Sequence, residues 1–223
     1  MKFKTPNLPL KWTHISGKGS PKYGKDFNSE NPLDFVFKAT VIVNAEQAKV
    51  IRDTMMEFWN ANKPAKIMKP TSTFLKEEEA DSDELDEYGA PIKKPTGNYT
   101  VTASTNTHFR SKDGLVPTKI AILNSKGMPF PSNHKLVLGE VGVGDGSKGV
   151  IHGSLAVTEY EGKAYIKFYL KGVQFAKFVP YEGSSLEAED LGVDSDDGSS
   201  VEDDGMLVES LDTSTETQSG PNL

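Results

Sequence analysis

The stretch with the clearest chemistry is Ala164 to Gly172, AYIKFYLKG. Side chains along a strand alternate faces with a period of two, so Ile166, Phe168 and Leu170 fall on one side and Tyr165, Lys167, Tyr169 and Lys171 on the other. The first face is a core face; the second alternates aromatic ring with cation. Exposed rings stack unpaired bases while neighbouring ammonium groups neutralise phosphates, a sequence-tolerant way to hold a single strand at roughly 1–3 kcal/mol per stacked base. The competing reading is structural: the tyrosines cover a second layer and the lysines lie along it with their heads in water.

Other residues of suitable type are Tyr99, His108, Phe109, Arg110 and Lys112 on and after a preceding strand, with Lys119 and Lys148. A glycine-rich loop adds Lys18, Lys22, Tyr23, Lys25 and Phe27. Taken singly each is ordinary surface or core, and only their gathering around one groove would make a site. Gly144-Asp145-Gly146-Ser147-Lys148-Gly149 has the letters of a dinucleotide fingerprint, but strand-like residues follow where a helix should begin, so it reads as a turn. His14, His108, His134 and His152 have no metal-ligand spacing, and the chain has no cysteine, so neither a metal nor a cofactor is expected.

The elements that must position these residues are mostly strands. Leu10 to Ile15 and Asp34 to Val43 read as strands, followed by a helix over about 45–60 with Asn44 as N-cap and Gln47 completing a capping box. Ala48, Ile51, Met55, Phe58 and Trp59 give that helix one apolar face. Residues 61–97 lose periodicity, gather four prolines and hold an acidic block from Glu77 to Glu87, which predicts a protruding or mobile acidic insertion over about 62–97. Further strands are expected at Asn98 to Arg110, Thr118 to Asn124, His134 to Gly142, Val150 to Tyr160 and Lys163 to Phe178, with turns at Lys112-Asp113-Gly114, Ser125-Lys126-Gly127, Gly144-Asp145-Gly146 and Glu161-Gly162. The fold class expected is mainly β, an OB-fold-like antiparallel barrel with one inserted helix.

Charge divides the chain in two. Residues 181–223 hold 13 of the 32 acids and no Lys, Arg or His, so residues 1–180 carry 25 basic against 19 acidic residues, a net of +6 where the whole chain has −7. Such a tail cannot bury enough apolar surface to offset its ordering entropy, and the expectation is a disordered acidic tail on a DNA-binding domain of residues 1–180. It either solubilises the protein or competes for the body's polyanion groove and docks on basic partners. No stretch approaches the length of an apolar span, which predicts a soluble protein that is neither secreted nor inserted in a membrane.

The chain resembles the single-stranded DNA-binding proteins of tailed, podovirus-type bacteriophages. The resemblance rests on YGKDFNSENP (Tyr23 to Pro32) leading into a strand and helix, AILNSKG (Ala121 to Gly127), GDGSKGVIHGSLAVTEY (Gly144 to Tyr160) and the acidic end. It implies an OB-fold with an inserted helix, single-stranded DNA as ligand, and work in DNA replication, recombination and repair in the cytoplasm of an infected bacterium. It also implies a tail that shields the groove and recruits phage or host replication proteins, a polymerase or helicase-primase, with homodimerisation left open. Tyr160 matches the family's DNA-contacting aromatic at that strand end. Leu33 stands where the family offers an arginine after Asn-Pro, so Lys22 or Lys25 would supply that cation. The tail ends SGPNL in place of acids and a terminal aromatic; Asp196, Asp197, Glu202, Asp203 and Asp204 with Met206 and Leu207, continuing to Val208 and Leu211, are its acidic-hydrophobic candidate for partner binding.

The reading is therefore a non-enzymatic, sequence-tolerant binder of single-stranded DNA. Its rival is an acidic-tailed interaction protein or nucleic-acid mimic whose body binds protein. An enzyme acting on DNA would need a metal-binding carboxylate cluster inside the basic body, whereas the acids are concentrated in the insertion and the tail.

Overall fold

The computed structural model describes residues 1–22 and 27–181. In chain order these form β1 (Lys2–Lys4), β2 (Leu8–His14), β3 (Ser20–Pro21), a 3-10 turn (Pro32–Asp34), β4 (Phe35–Val43), α1 (Ala45–Asn62), β5 (Leu75–Leu85) and β6 (Pro91–Asn106). There follow β7 (His108–Ser111), β8 (Gly114–Pro117), β9 (Ala121–Leu123), α2 (Lys135–Leu138), β10 (Gly142–Val143), β11 (Lys148–Tyr160), β12 (Lys163–Lys177) and β13 (Pro180–Tyr181).

The fold is mainly β with one main helix. Its central sheet runs β1-β11-β2-β4-β6-β12-β9, and a further pairing of β11 with β12 bends β11, β2, β4, β6 and β12 into a ring. Five strands cannot alternate direction all the way round a circle, so one neighbouring pair must be parallel. That pair is β6 with β12, joined at the single register position Ser104–Tyr169. The expectation of an antiparallel barrel is refined accordingly: the other four junctions are antiparallel, and the ring is thin at β6–β12 and at β11–β2, where only Lys148–Pro9 and Gly149–Leu8 pair. The sheet is ring-like, a partly open version of the five-stranded OB architecture.

The ring interior is filled by alternate residues of each strand: Val41 and Val43 of β4, Val101 and Ala103 of β6, Ile151 and Leu155 of β11, and Ile166, Phe168 and Leu170 of β12 are all buried. Helix α1 packs its expected face, Ala48, Ile51, Met55, Phe58 and Trp59, into the same core. Its start is built as the sequence predicts: the Gln47 amide donates to Asn44 Oδ1 at 2.9 Å and the Asn44 amide donates to Gln47 Oε1 at 3.1 Å, satisfying two of the first-turn donors reciprocally.

Three expectations are corrected. Within the protruding or mobile acidic insertion expected over about 62–97, residues 75–97 do not lack regular structure: acidic β5 pairs with the first half of β6 as an exposed ribbon, because Asp81 lies opposite Lys93, Ala80 opposite Lys94, and Lys94 forms an ion pair with Glu84. Cross-strand opposite charges turn an acidic run into a stable strand. His134 to Gly142 is not a strand but a short helix, capped by His134, whose Nδ1 accepts from the Leu136 amide, and closed by Gly139 at φ +78°. The strand expected at Asn98 to Arg110 starts earlier, at Pro91, and breaks at Thr107. The four expected turns are present, at residues 112–113, 125–126, 145–146 and 161–162.

Gly153 holds the tightest contact of the ring. A Cβ there would lie 2.0 Å from the Tyr169 carbonyl oxygen and 2.8 Å from the Phe168 ring, at the register shift between β11 and β12. Gly153→Ala is expected to destabilise the fold by about 1–3 kcal/mol through this overpacking, and Asn44→Ala by about 1 kcal/mol through the lost cap. Urea denaturation of both variants checks this; a Gly153→Ala midpoint at or above wild type would show that the seam is looser than described.

Candidate nucleic-acid interface

One face of the ring carries a groove of about 890 Å³ that crosses β2, β4, β6 and β12. Register rows build it. His14 of β2 pairs with Lys38 of β4, Lys38 with Ser104 of β6, and Ser104 with Tyr169 of β12, so these four residues form one line across four strands. Paired residues share a face, and strands are spaced about 4.8 Å apart, which puts Lys38 and Tyr169 roughly 10 Å apart on either side of Ser104. A second row joins Thr40 to Thr102, whose hydroxyl oxygens are 3.0 Å apart on the groove floor. A third joins Lys76 of β5 to Thr100.

The floor is thus a ladder of hydroxyls, Thr40, Thr100, Thr102 and Ser104, and the walls are aromatic: Tyr165 and Tyr169 on one side, Trp12 and Phe109 also lining the groove. Its cations are Lys22, Lys38, Lys76 and Lys167, and among the described residues no carboxylate lines it. Burial pulls the Lys22 ammonium below its ordinary pKa; Asp34 works against that shift and Lys167 adds to it. The Lys167 ammonium is thus near enough to disfavour the charged form of Lys22. The Lys22 Nζ donates to the Leu33 carbonyl, which puts an ammonium group beside Leu33.

The expected alternation of β12 is present: Ile166, Phe168 and Leu170 point into the core while Tyr165, Lys167 and Tyr169 line the groove. Of the other candidates, Lys22 and Phe109 join them. Lys171 is exposed on β12 beyond the groove lining, and Arg110 and Lys112 belong to the exposed β7–β8 hairpin that carries Phe109. Tyr99 falls away from the groove: it is one of the partly buried residues against the core, with the Arg52 guanidinium of α1 over its ring at 5.2 Å. Tyr160 does not line the groove either, but it pairs with Lys163 at the tip of the β11–β12 hairpin, and Tyr165 pairs with Thr158. Tyr160 therefore lies on the sheet face of Tyr165 and Tyr169 and extends their row by about 7 Å. Tyr23, Lys25 and the tail candidates Asp196, Asp197, Glu202, Asp203, Asp204, Met206 and Leu207 lie outside the described residues.

Sequence reasoning missed Trp12, Lys38 and Lys76. Strict alternation would put Trp12 on the face of Leu10, in the core. Instead Trp12 has φ +46° at an irregularity between Lys11 and His14, a conformation costly for an L-residue and typical of a bulge that re-aims a side chain. It is 58% exposed while Leu10, Thr13 and Ile15 stay buried. Lys38 was legible in principle, as the one charged residue of strand β4, on its even face with Thr40. The Gly144–Gly149 segment is a turn from β10 into β11, pinned by the buried Ser147, whose Oγ donates to the Val179 carbonyl and accepts from its amide.

No protein-family description and no curated protein matches the chain. Solved structures do. The gp2.5 single-stranded DNA-binding protein of bacteriophage T7 superposes with a TM-score of 0.50 at 16% identity, covering 83% of this chain and 97% of that one. The single-stranded DNA-binding protein of bacteriophage Enc34 in complex with single-stranded DNA gives 0.51 at 16% identity, over 82% and 89%. A C-terminally truncated form of the Enc34 protein gives 0.51, over 79% and 85%. The fold is that of phage single-stranded DNA-binding proteins. Within that fold the β4–β6–β12 face of this chain is a concave surface lined by aromatic rings and four lysines.

Partial burial, and then the charge of Lys38, hold the His14 imidazole below its ordinary pKa of 6.5. The folded state thus favours the neutral ring more than the unfolded chain does. This contribution is complete above 6.5 and is lost as pH falls from there through the lowered folded value. His14→Gln is expected to flatten that part of the stability–pH curve, read by urea denaturation at about pH 7.5 and 5.5; unchanged acid sensitivity would show that His14 does not contribute to it.

Proposed function

We propose that this chain binds single-stranded DNA with little sequence preference. The observation that carries the reading is the groove itself: aromatic walls, four lysines, no carboxylate among the described residues that line it, and a floor of hydroxyls. Bases stack on Tyr165, Tyr169, Trp12 and Phe109, and Tyr160 continues the track. Phosphates meet Lys22, Lys38, Lys76 and Lys167. A threonine or serine hydroxyl both donates and accepts, so Thr100, Thr102 and Ser104 satisfy any base edge by rotating the O–H, which is why this floor supports tolerance in place of readout. The activity is binding, not catalysis, and the two solved phage proteins of this fold are named for the same ligand. In this reading residues 1–180 are the DNA-binding body. The setting is phage DNA replication, recombination and repair in an infected cell, with the acidic tail recruiting replication proteins.

A fluorescence titration with single-stranded and duplex DNA at two salt concentrations tests it. Single strands are expected to bind more tightly than duplex, with Trp12→Ala, Tyr165→Ala and Tyr160→Ala each costing about 1–3 kcal/mol. Four groove lysines predict a salt slope near −3, at about −0.7 per phosphate neutralised, with Lys38→Ala shallower by about 0.7. Equal affinity for duplex and single strands would sink the stacking mechanism, and no binding to an oligonucleotide would favour the protein-binding rival.

The charge partition extends the proposal to the tail. A tethered polyanion acts at high effective concentration, on the order of millimolar, and competes with DNA for the lysines. Truncation from about residue 183 is therefore expected to tighten binding most at low salt and to steepen the salt slope. Parallel salt plots with a common intercept would leave the tail without a role in groove competition.

A further inference from the structure

The β5–β6 ribbon ends in a built apolar tip that the groove does not use. Asp86 Oδ1 accepts from the Tyr88 and Ala90 amides, each at 2.9 Å, and the Asp86 amide donates to the Ala90 carbonyl at 2.8 Å. Gly89 at φ +79° completes the turn. This fixed turn holds Tyr88 86% exposed and Leu85 62% exposed, between Asp83, Glu84 and Glu87. A large aromatic presented on a pre-ordered backbone is what an interface anchor looks like, since little entropy is left to lose on docking.

The same molecule carries a surface of matching chemistry. After α1, the loop through Lys63, Lys66, Met68 and Lys69 is basic, and no acid occurs from residue 58 to residue 76. It too is pinned: the buried Trp59 donates its indole N–H to the Met68 carbonyl at 3.3 Å, and the Ile67 amide donates to the Pro64 carbonyl. Met68 is nevertheless 80% exposed. One surface offers a thioether among lysines, the other a phenol and a leucine among carboxylates.

These two surfaces do not cover each other within one chain, as the exposure of Tyr88 and Met68 shows. The ribbon also separates them: from Leu75 at its root to Leu85 near its tip is ten residues of strand, roughly 33 Å. We infer that the ribbon tip of one copy docks on the Lys63–Lys69 loop of a second copy. Tip and loop are different patches, so the contact we infer is head-to-tail, and with no closing rotation between copies it generates an open chain of protomers. Such a chain would lie along a single strand held in successive grooves, which rests on the nucleic-acid reading above, and would make binding to long strands cooperative. The acidic edge of β5 at the same time disfavours ribbon-to-ribbon pairing by like charge.

The chain has no cysteine, so single-cysteine variants report this contact without background. Tyr88→Cys and Met68→Cys alter exposed side chains and leave the core untouched. Mixed on long poly-dT, and separately at high protein concentration without DNA, they are expected to give the heterodimer as the main disulfide product, and the double variant a ladder. The full-length Asp83→Asn, Glu87→Gln protein is expected to bind long poly-dT about tenfold more weakly per site while binding a one-site dT oligonucleotide as wild type does. Absence of the mixed cross-link, or a Tyr88→Cys product with itself as the main species, overturns the head-to-tail contact. Failure to bind the short oligonucleotide counts against the nucleic-acid reading instead, and the cross-link without DNA then still decides the contact.

Discussion

An odd number of strands cannot close into a ring with antiparallel neighbours throughout, and the place where this chain meets that constraint is where its groove lies. The parallel junction between β6 and β12 is one residue pair wide. On one side of it β6 is held to β4 by eight successive pairs, and on the other β12 is held to β11 along nearly its whole length. Two firmly held strands with a narrow join leave a concave surface between them, lined by side chains of both strands. Tyr169 belongs to both features: its backbone makes the join and its ring lines the cavity.

Chemistry follows from that geometry. Because the floor is the outer face of β4 and β6, its side chains are those that a strand presents to water, and here they are short hydroxyls with lysines at intervals. Short side chains on the floor give depth; long ones at the edge give walls. Burial first, and the Lys167 ammonium after it, disfavour the charge of Lys22 against the pull of Asp34, and an anion beside Lys22 would offset that cost.

Much of this was legible in the residues. The Asn44–Gln47 box, the apolar stripe of α1 and the in-out alternation of Tyr165 to Lys171 are local patterns, and local patterns survive folding. Trp12 was not legible, because one irregularity in β2 moves it from the core face to the groove, and a shift of one residue is invisible to a period-two reading. The acidic ribbon was not legible because composition argued for an unstructured segment, while the lysines that pair with it lie ten and more residues further on. Tyr99 misled for the opposite reason: its strand was read correctly, but it stands on the helix-facing side of β6, where the Arg52 guanidinium covers its ring. The phage resemblance anticipated the fold, and the placement of individual side chains came only with the register.

Gly153 gives the arrangement an asymmetry that bears on how such a protein can change. The Tyr169 carbonyl sits where any side chain at Gly153 would have to go, so the backbone beneath the aromatic row is locked from behind by a residue that touches no ligand. The floor hydroxyls, in contrast, make few bonds: Thr40 and Thr102 meet each other, and Thr100 donates to the Lys76 carbonyl at 3.4 Å. Substitution at Thr100 or Ser104 meets no such obstacle, whereas Gly153 admits none: the groove floor is replaceable type set in a fixed frame.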